Sequence, residues 1–325
     1  MVKIGLATSD PNAWCDSEGG KADNDPTIIN TDISIEGKGG YLCRLEYPLG
    51  TNNTFMWVPT GGGEAYAIRY SIGTITRIFG WLQMLHYGAS YTVGNWTLID
   101  NLRMQRVDSD ENVKVTAVVE MPSAGKYFKL TYIIENIGTD TITNVKFYEY
   151  VEPNANDYDF ETTTYDPERN MYYSTNNEGL RKYFGVASLD LTDNRDLGTF
   201  WHDVLDRIWA DTLNNFDGPY TGDTGFVLEK DIERVDPGEK IVLSVFFIVG
   251  DTLFEVQSIY DQLLQKTRAT ITSYSISSGE FKAGDKISAQ VTIRNIGKEA
   301  WTFYVGFSVQ DQMANGGTPP TKRLL

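Results

Sequence analysis

The chain has 325 residues, 44 of them acidic against 28 basic, for a formal net charge of −16. That balance excludes a phosphate-backbone or anionic-membrane partner, because such surfaces are bound by clustered Lys and Arg and no basic cluster occurs. No apolar run approaches the roughly 18 residues that would span a bilayer as a helix, and Met1-Val2-Lys3-Ile4-Gly5-Leu6-Ala7 is too short for a signal peptide before Ser9-Asp10-Pro11 interrupts it.

The length fits one large and one small domain. Nineteen Tyr, fifteen Phe and seven Trp supply bulky, β-forming side chains suited to broad sheets. The first stretch, residues 10–26, is irregular, with Asp23-Asn24-Asp25-Pro26 a turn signal. Two cysteines, Cys15 and Cys43, form no CxxC pair; their even number permits one disulfide in an oxidising compartment, with two separate buried thiols as the alternative. From Thr27 onward come short alternating runs at Ile28–Ile35, Tyr41–Tyr47 and Phe55–Val58. Gly61-Gly62-Gly63 is a flexible connection and not a phosphate loop, because Glu64-Ala65-Tyr66 follows where Lys-Ser/Thr is needed. Ala65–Ile75 alternates as a strand although Ile75, Ile78, Phe79, Leu82 and Leu85 also fit helical spacing; strands are expected up to Ile78. Trp96–Val107 and Asn112–Met121 read as two more.

The stretch from Lys126 to Pro153 organises the middle of the chain. Phe128, Leu130, Tyr132 and Ile134 alternate with Lys129, Thr131 and Ile133, and Asn136-Ile137-Gly138-Thr139 breaks the run before a second strand. The pattern predicts a β-hairpin, or two strands of one sandwich. Ile293-Arg294-Asn295-Ile296-Gly297 repeats Ile134-Glu135-Asn136-Ile137-Gly138. A glycine-containing lead-in occurs three times, before Lys126, Lys240 and Lys286. Residues 154–177 form a polar, Tyr-rich insertion of little periodicity. A helix is expected over Thr199–Phe216, with Phe200, Trp201, Val204, Leu205, Ile208, Trp209 and Leu213 on one face. A second opens at the capping-box sequence Thr252-Leu253-Phe254-Glu255 and carries the apolar stripe Val256, Ile259, Tyr260, Leu263 and Leu264. Between them, Gly225–Val235 and Ile241–Val249 are strands around the Asp236-Pro237-Gly238-Glu239 turn. A boundary near Arg268 divides a domain of residues 1–268 from one of residues 269–325. The second unit has too few strands for a free-standing immunoglobulin-like sandwich of about seven. Its strand Trp301–Val309 has one apolar side to cover, so the chain is expected to be a piece of a longer surface polypeptide.

Two resemblances rest on these patterns. Residues 27–268, with the Glu135-Asn136-Ile137-Gly138 break and the run from Phe226-Val227-Leu228-Glu229-Lys230 through Asp236-Pro237-Gly238-Glu239 to Phe246-Phe247-Ile248-Val249-Gly250-Asp251, resemble the super-sandwich, galactose-mutarotase-like domains. Such domains also occur as non-catalytic parts of glucoamylase-like enzymes and in polysaccharide lyases. Residues 269–311, with Phe281-Lys282-Ala283-Gly284-Asp285-Lys286 and Val291-Thr292-Ile293-Arg294-Asn295-Ile296-Gly297, are similar to adhesion-type immunoglobulin-like modules of prokaryotic, archaeal-like surface proteins. The fold class expected is therefore mainly β: a large antiparallel super-sandwich with two packed helices, plus a partial immunoglobulin-like β unit.

The chemistry is thinner. A mutarotase-type mechanism requires a His acid and a carboxylate base. The only histidines, His86 and His202, match no family motif, and both read as structural. No GxSxG elbow is present, and 44 acidic residues leave any carboxylate pair uninformative without distances. No catalytic residue is assigned. Asn154, Asn156, Asp157, Asp159 and Glu161 are hard oxygen ligands in one loop, which calcium accepts, although the spacing is not an EF-hand and a solvated loop is the plain reading. Calcium is the one cofactor considered. Tyr158, Tyr165, Tyr172 and Tyr173 are candidates for stacking on sugar rings. Asn52 and Asn95 begin glycosylation sequons. The expectation is a non-catalytic extracellular or cell-surface protein with a structural or carbohydrate-binding role, its partners glycans or neighbouring surface proteins. The alternative is a carbohydrate-active enzyme of mutarotase, lyase or glycosidase type, or its accessory domain.

Overall fold

The computed structural model describes residues 26–38, 41–51, 54–57, 64–80, 94–153, 161–176, 182–199, 203–266, 269–276, 289–295, 307–310 and 321–324. In chain order the first strands are β1 (Thr27–Ile29), β2 (Ser34–Lys38), β3 (Tyr41–Glu46), β4 (Thr54–Trp57), β5 (Glu64–Ile72), β6 (Ile75–Phe79), β7 (Thr97–Asp100), β8 (Arg103–Ser109), β9 (Val113–Glu120), β10 (Tyr127–Asn136) and β11 (Ile142–Val151). There follow β12 (Glu161–Asp166), β13 (Met171–Asn176), β14 (Tyr183–Ser188), β15 (Asn194–Thr199), helix α1 (Val204–Ala210), β16 (Tyr220–Gly222), β17 (Thr224–Val235), β18 (Lys240–Gly250) and helix α2 (Leu253–Lys266). Last come β19 (Ala269–Ile276), β20 (Ala289–Asn295), β21 (Phe307–Gln310) and β22 (Thr321–Leu324).

Two nine-stranded antiparallel sheets face each other. Sheet I has the order β1-β2-β3-β5-β11-β17-β15, with β4 beside β3 and β6 beside β5; sheet II runs β16-β12-β13-β14-β18-β10-β9-β8-β7. The alternation read from the sequence selects the inner faces. Phe128, Leu130, Tyr132 and Ile134 of β10, with Val113, Val115, Ala117 and Val119 of β9, are buried against Tyr66, Ile68 and Phe147 of sheet I in one continuous core. Tyr66, Tyr132 and Phe147 form an aromatic cluster at its centre, with centroid separations of 5.3, 5.8 and 4.7 Å. Each such side chain contributes about 1.5–3 kcal/mol by leaving water.

The Lys126–Pro153 stretch is not a hairpin. β10 lies in sheet II and β11 in sheet I, so its other reading, two strands of one sandwich, describes it. The cause is local: Asn136 is fully buried, its Nδ2 donates to the carbonyls of Asp140 and Val235, and its Oδ1 accepts from the Gly138 amide. The Ile137 amide is taken by the Asn112 carbonyl. These bonds replace a ladder and turn the chain from one sheet into the other. The Asp236–Glu239 turn does the same between β17 and β18, and the two crossings are laced together by Asn136 N–H to Glu239 O and Gly238 N–H to Asn136 O.

The two helices among the described residues lie on outer faces. α2 packs on β18 and β14, burying Val256, Tyr260 and Leu263 against Met171, Ala187, Phe246 and Ile248. Gly185 allows the approach, since a Cβ there would stand 2.6 Å from Val256 Cγ1. Its cap follows the expected sequence, with the Glu255 amide bonded to Thr252 Oγ1 and Glu255 Oε2 accepting from the Asp251 amide. α1 is shorter than the predicted Thr199–Phe216. Thr199 still belongs to β15, and the helix ends at Asp211, which takes φ 58°. The Asn/Asp-rich sequence that follows, with Asn215 also at positive φ, favours such termination over continuation.

Within the insertion at 154–177, residues 161–176 are more ordered than the composition indicates. Thr162–Tyr165 pairs with Tyr172–Thr175 in a regular ladder, closed by a turn in which Asp166 accepts from the amides of Glu168 and Arg169. Beyond α2, among the described residues, β19 pairs with β20 and β21 with β22, each as a two-stranded sheet.

Candidate functional site

The outer face of sheet I is where polarity accumulates. Partners across an antiparallel ladder share a face, so the registers assign the rows. Asn194, Glu229, Tyr148 and Ala67 form one row; Asp231, Lys146 and Arg69 form the next; Asp196, Val227, Tyr150 and Ala65 lie on the other side. Two irregularities extend this face. A bulge between Thr143 and Lys146 on β11, next to Asn144 at φ 48°, fixes the facing of Lys146. On β3 the register shifts between the Glu36–Arg44 and Gly37–Leu42 pairs. Leu42 therefore enters the core while Arg44 turns to the opposite face with Glu36. Ser34, Glu36, Arg44 and Glu46 are nonetheless all buried.

α1 is latched across β15 and β17 by Arg207, whose Nε donates to Asp196 Oδ2 at 2.6 Å, and the Arg69 guanidinium donates to the Trp209 carbonyl. The helix end thereby presents Asp211 to the sheet. Lys146 Nζ lies 2.7 Å from Asp211 Oδ1, 3.3 Å from Glu229 Oε1 and 3.5 Å from Asp231 Oδ1. Asn194 Nδ2 donates to Glu229 Oε1 at 2.8 Å, and the Tyr148 hydroxyl donates to Asp211 at 3.2 Å. Three carboxyls thus surround one ammonium. The Glu229 side chain is 1 % exposed while those of Lys146, Asp211 and Asp231 are 24, 30 and 49 % exposed, so the surplus proton belongs on Glu229. Burial, reinforced by the neighbouring Asp231 and opposed by Asn194 and Lys146, pushes its carboxyl up to about 7. Burial followed by Glu229 and Asp211 raises the Tyr148 phenol, and burial together with Glu152 and Asp223 raises that of Tyr150, so both stay neutral donors. The patch can donate and accept hydrogen bonds at fixed positions, and one of its carboxyls can carry or release a proton near neutrality.

The sequence candidates lie elsewhere. Tyr165 and Tyr172 belong to the inter-sheet core, 9 % and 0 % exposed. Their rings pack on each other and, for Tyr172, on Phe226, while Arg195 covers the Tyr165 ring at 4.1 Å. They offer no free face to a sugar, because the strand alternation turns them inward. Tyr173 points the other way and packs beside α2. Tyr158, Asn154, Asn156, Asp157, Asp159, Cys15, Asn52, His86 and His202 lie outside the described residues, Glu161 opens β12, and Cys43 lies in β3. Among the described residues no cluster of His, Cys, Asp and Glu has a metal-holding arrangement, and no helix is long and apolar enough to cross a membrane. Asn95 is exposed just before β7.

No family model matches the sequence. Solved structures do. A bacterial glucoamylase complexed with acarbose matches with a TM-score of 0.57 at 9% identity, covering 80% of this chain and 36% of that one. The likeness is one of fold. This chain spans about a third of that glucoamylase's length. Two weaker likenesses are to a polysaccharide lyase (TM-score 0.47, 11% identity, 92% of this chain and 47% of that) and to a galactose mutarotase-like protein from Lactobacillus casei (TM-score 0.46, 7% identity, 70% of this chain and 100% of that).

None of Lys146, Asn194, Asp211, Glu229 and Asp231 stands out in the sequence. They come from four separate segments, and the only local signal is a charge that ends an apolar run, as at Phe226-Val227-Leu228-Glu229. That signal does not say which of the 44 acidic residues converge.

Proposed function

We propose that this chain is a carbohydrate-directed domain that receives sugar hydroxyls on the outer face of sheet I, at Lys146, Asn194 and Asp231, with the buried Glu229 beneath them. The observation that carries this reading is the row of fixed donors and acceptors beside Tyr148, half open to solvent at one edge and rigidly backed by the sheet. A sugar hydroxyl both donates and accepts, so it is matched by such mixed, pre-positioned groups rather than by an apolar pocket. The fold likeness to a glucoamylase bound to acarbose supports a carbohydrate as the ligand class. Binding without turnover, in an extracellular or cell-surface setting with glycans as partners, is the first reading, and the acidic composition supports it. Exposed Asn95 then serves as a glycan acceptor.

A second reading has its own support. Glu229, held near neutrality, is suited to general acid–base catalysis, which places the domain in a carbohydrate-active enzyme. A glycan array followed by a reducing-sugar assay separates the two. Lys146→Ala is expected to lower binding at least severalfold under either reading. Glu229→Gln keeps the hydrogen-bonding shape but removes the proton, so it leaves binding within about twofold and abolishes turnover only if the site is catalytic. A wild-type protein that recognises no glycan on the array would contradict both.

A further inference from the structure

A second set of ionisable groups is sealed between the sheets, on the opposite face of β11 from the site above. Glu64 and Tyr66 of β5 and Glu149 of β11 project inward, Glu149 pairing with Tyr66 in the ladder. Arg106 and Asp108 of β8 and Tyr132 of β10 meet them from sheet II. All six are no more than 2 % exposed.

The bonding settles how the charges balance. Asp108 receives three donors: Arg106 Nε at 2.9 Å, the Tyr66 hydroxyl at 2.6 Å and the Gly94 amide at 2.8 Å. It pairs with Arg106, whose guanidinium is held over the Tyr66 and Trp96 rings at 5.4 and 5.0 Å. Glu64 receives two donors, the Tyr132 hydroxyl at 2.5 Å and the Leu42 amide at 3.2 Å. Among the described residues no donor meets either oxygen of Glu149 in full hydrogen-bond geometry, although the Tyr132 hydroxyl is close enough to interact with both carboxyls. A phenol has one proton, and Glu64 takes it. Four ionisable groups of formal charge thus carry one positive and three negative charges if all ionise, in a space without water access, where an uncompensated carboxylate is strongly disfavoured.

We propose that Glu149 is held as a neutral carboxylic acid whose proton is directed to Tyr132, so that Glu149, Tyr132 and Glu64 form one proton-carrying chain that makes the sandwich core pH-responsive. Burial and the charge of Glu64 raise the Glu149 carboxyl, against smaller opposing effects of the Tyr132 hydroxyl and of Arg106. The sign follows from linkage. Above the ordinary glutamate range the unfolded chain releases this proton and the folded chain keeps it, so stability falls as pH rises from about 4.5, by about tenfold in the unfolding constant per pH unit, until the folded group itself ionises. The core is thereby most tightly held under mildly acidic conditions.

The test compares wild type with Glu149→Gln by urea denaturation from pH 5 to pH 9. The variant is expected to lose that slope, about tenfold per pH unit, relative to wild type, and to unfold at higher urea than wild type at pH 8. Glu229 on the outer face contributes equally to both proteins, so the difference reads the Glu149 site together with the Glu64 carboxyl that interacts with it. If the variant does not fold, infrared spectroscopy of Glu229→Gln, which lacks the outer carboxyl that titrates near neutrality, decides: a protonated-carboxyl stretch present at pH 7 is expected. Parallel slopes in the two proteins, or no such stretch in Glu229→Gln at pH 7, overturns the proposal.

Discussion

Glu229 shows how placement alone tunes a side chain. On β17 it faces outward, but Lys146, Asp231 and Asn194 close over it, and loss of water raises its carboxyl to about 7 from an ordinary 4.5. The folded protein then keeps a proton that the unfolded chain has released, so stability falls as pH rises between those two values. The loss is on the order of 3 kcal/mol at most. Glu229→Gln is expected to lack that portion of the decline, which urea titrations at pH 5 and pH 7.5 measure. Asp231→Asn removes the neighbouring negative charge, and carboxyl-carbon NMR titration is expected to show Glu229 shifted downward. None of this was legible in the Phe226–Val235 segment, since the effect needs Lys146 and Asn194, 83 and 35 residues away. Tyr165 and Tyr172 face inward for a related reason. Their identity signalled surface aromatics, but their parity on β12 and β13 decided which way they faced.

Elements were more readable when their signals were local. The Thr252–Glu255 cap and the stripe at Val256, Tyr260 and Leu263 define α2 within the sequence itself, and both are present. Thr252→Ala removes the acceptor for the Glu255 amide and is expected to cost about 1 kcal/mol, visible as a lower urea midpoint. α1 was over-extended because its apolar spacing continues past Ala210, whereas Asp211 in the left-handed region and the Arg207–Asp196 latch end it there. The Asn136-Ile137-Gly138 break was seen but its consequence was open, because hairpin and inter-sheet crossing share one sequence signature. The deciding contacts come from Asn112, Val235 and Glu239. Asn136→Ala leaves the buried Val235 carbonyl, the Asp140 carbonyl and the Gly138 amide without this partner. It is expected to cost about 3 kcal/mol, measured by chemical denaturation, with a smaller effect from the mutation of exposed Ile137 to Ala.

At the scale of the molecule, alternation and aromatic content were enough to establish a sandwich of broad antiparallel sheets, because each strand carries its own inward face. The assignment of strands to sheets was not legible, since it depends on crossings at Asn136 and at Asp236–Glu239. Nor could sequence foresee that sheet I would bury charge on both sides: Glu64 and Glu149 toward the core, Glu229 and Asp196 toward α1. Those two sets sit on the same strands, so β11 carries Tyr148 and Tyr150 to one face and Glu149 to the other.

The central claim is that the outer face of sheet I takes a carbohydrate. Chemical-shift mapping of the isotope-labelled chain, titrated with acarbose and with a panel of neutral oligosaccharides, tests it directly. At least one of these sugars is expected to shift the signals of Lys146, Asn194, Glu229 and Asp231 saturably, and Lys146→Ala to weaken that response. Saturable shifts confined to another surface, or none with any sugar of the panel, would contradict the claim.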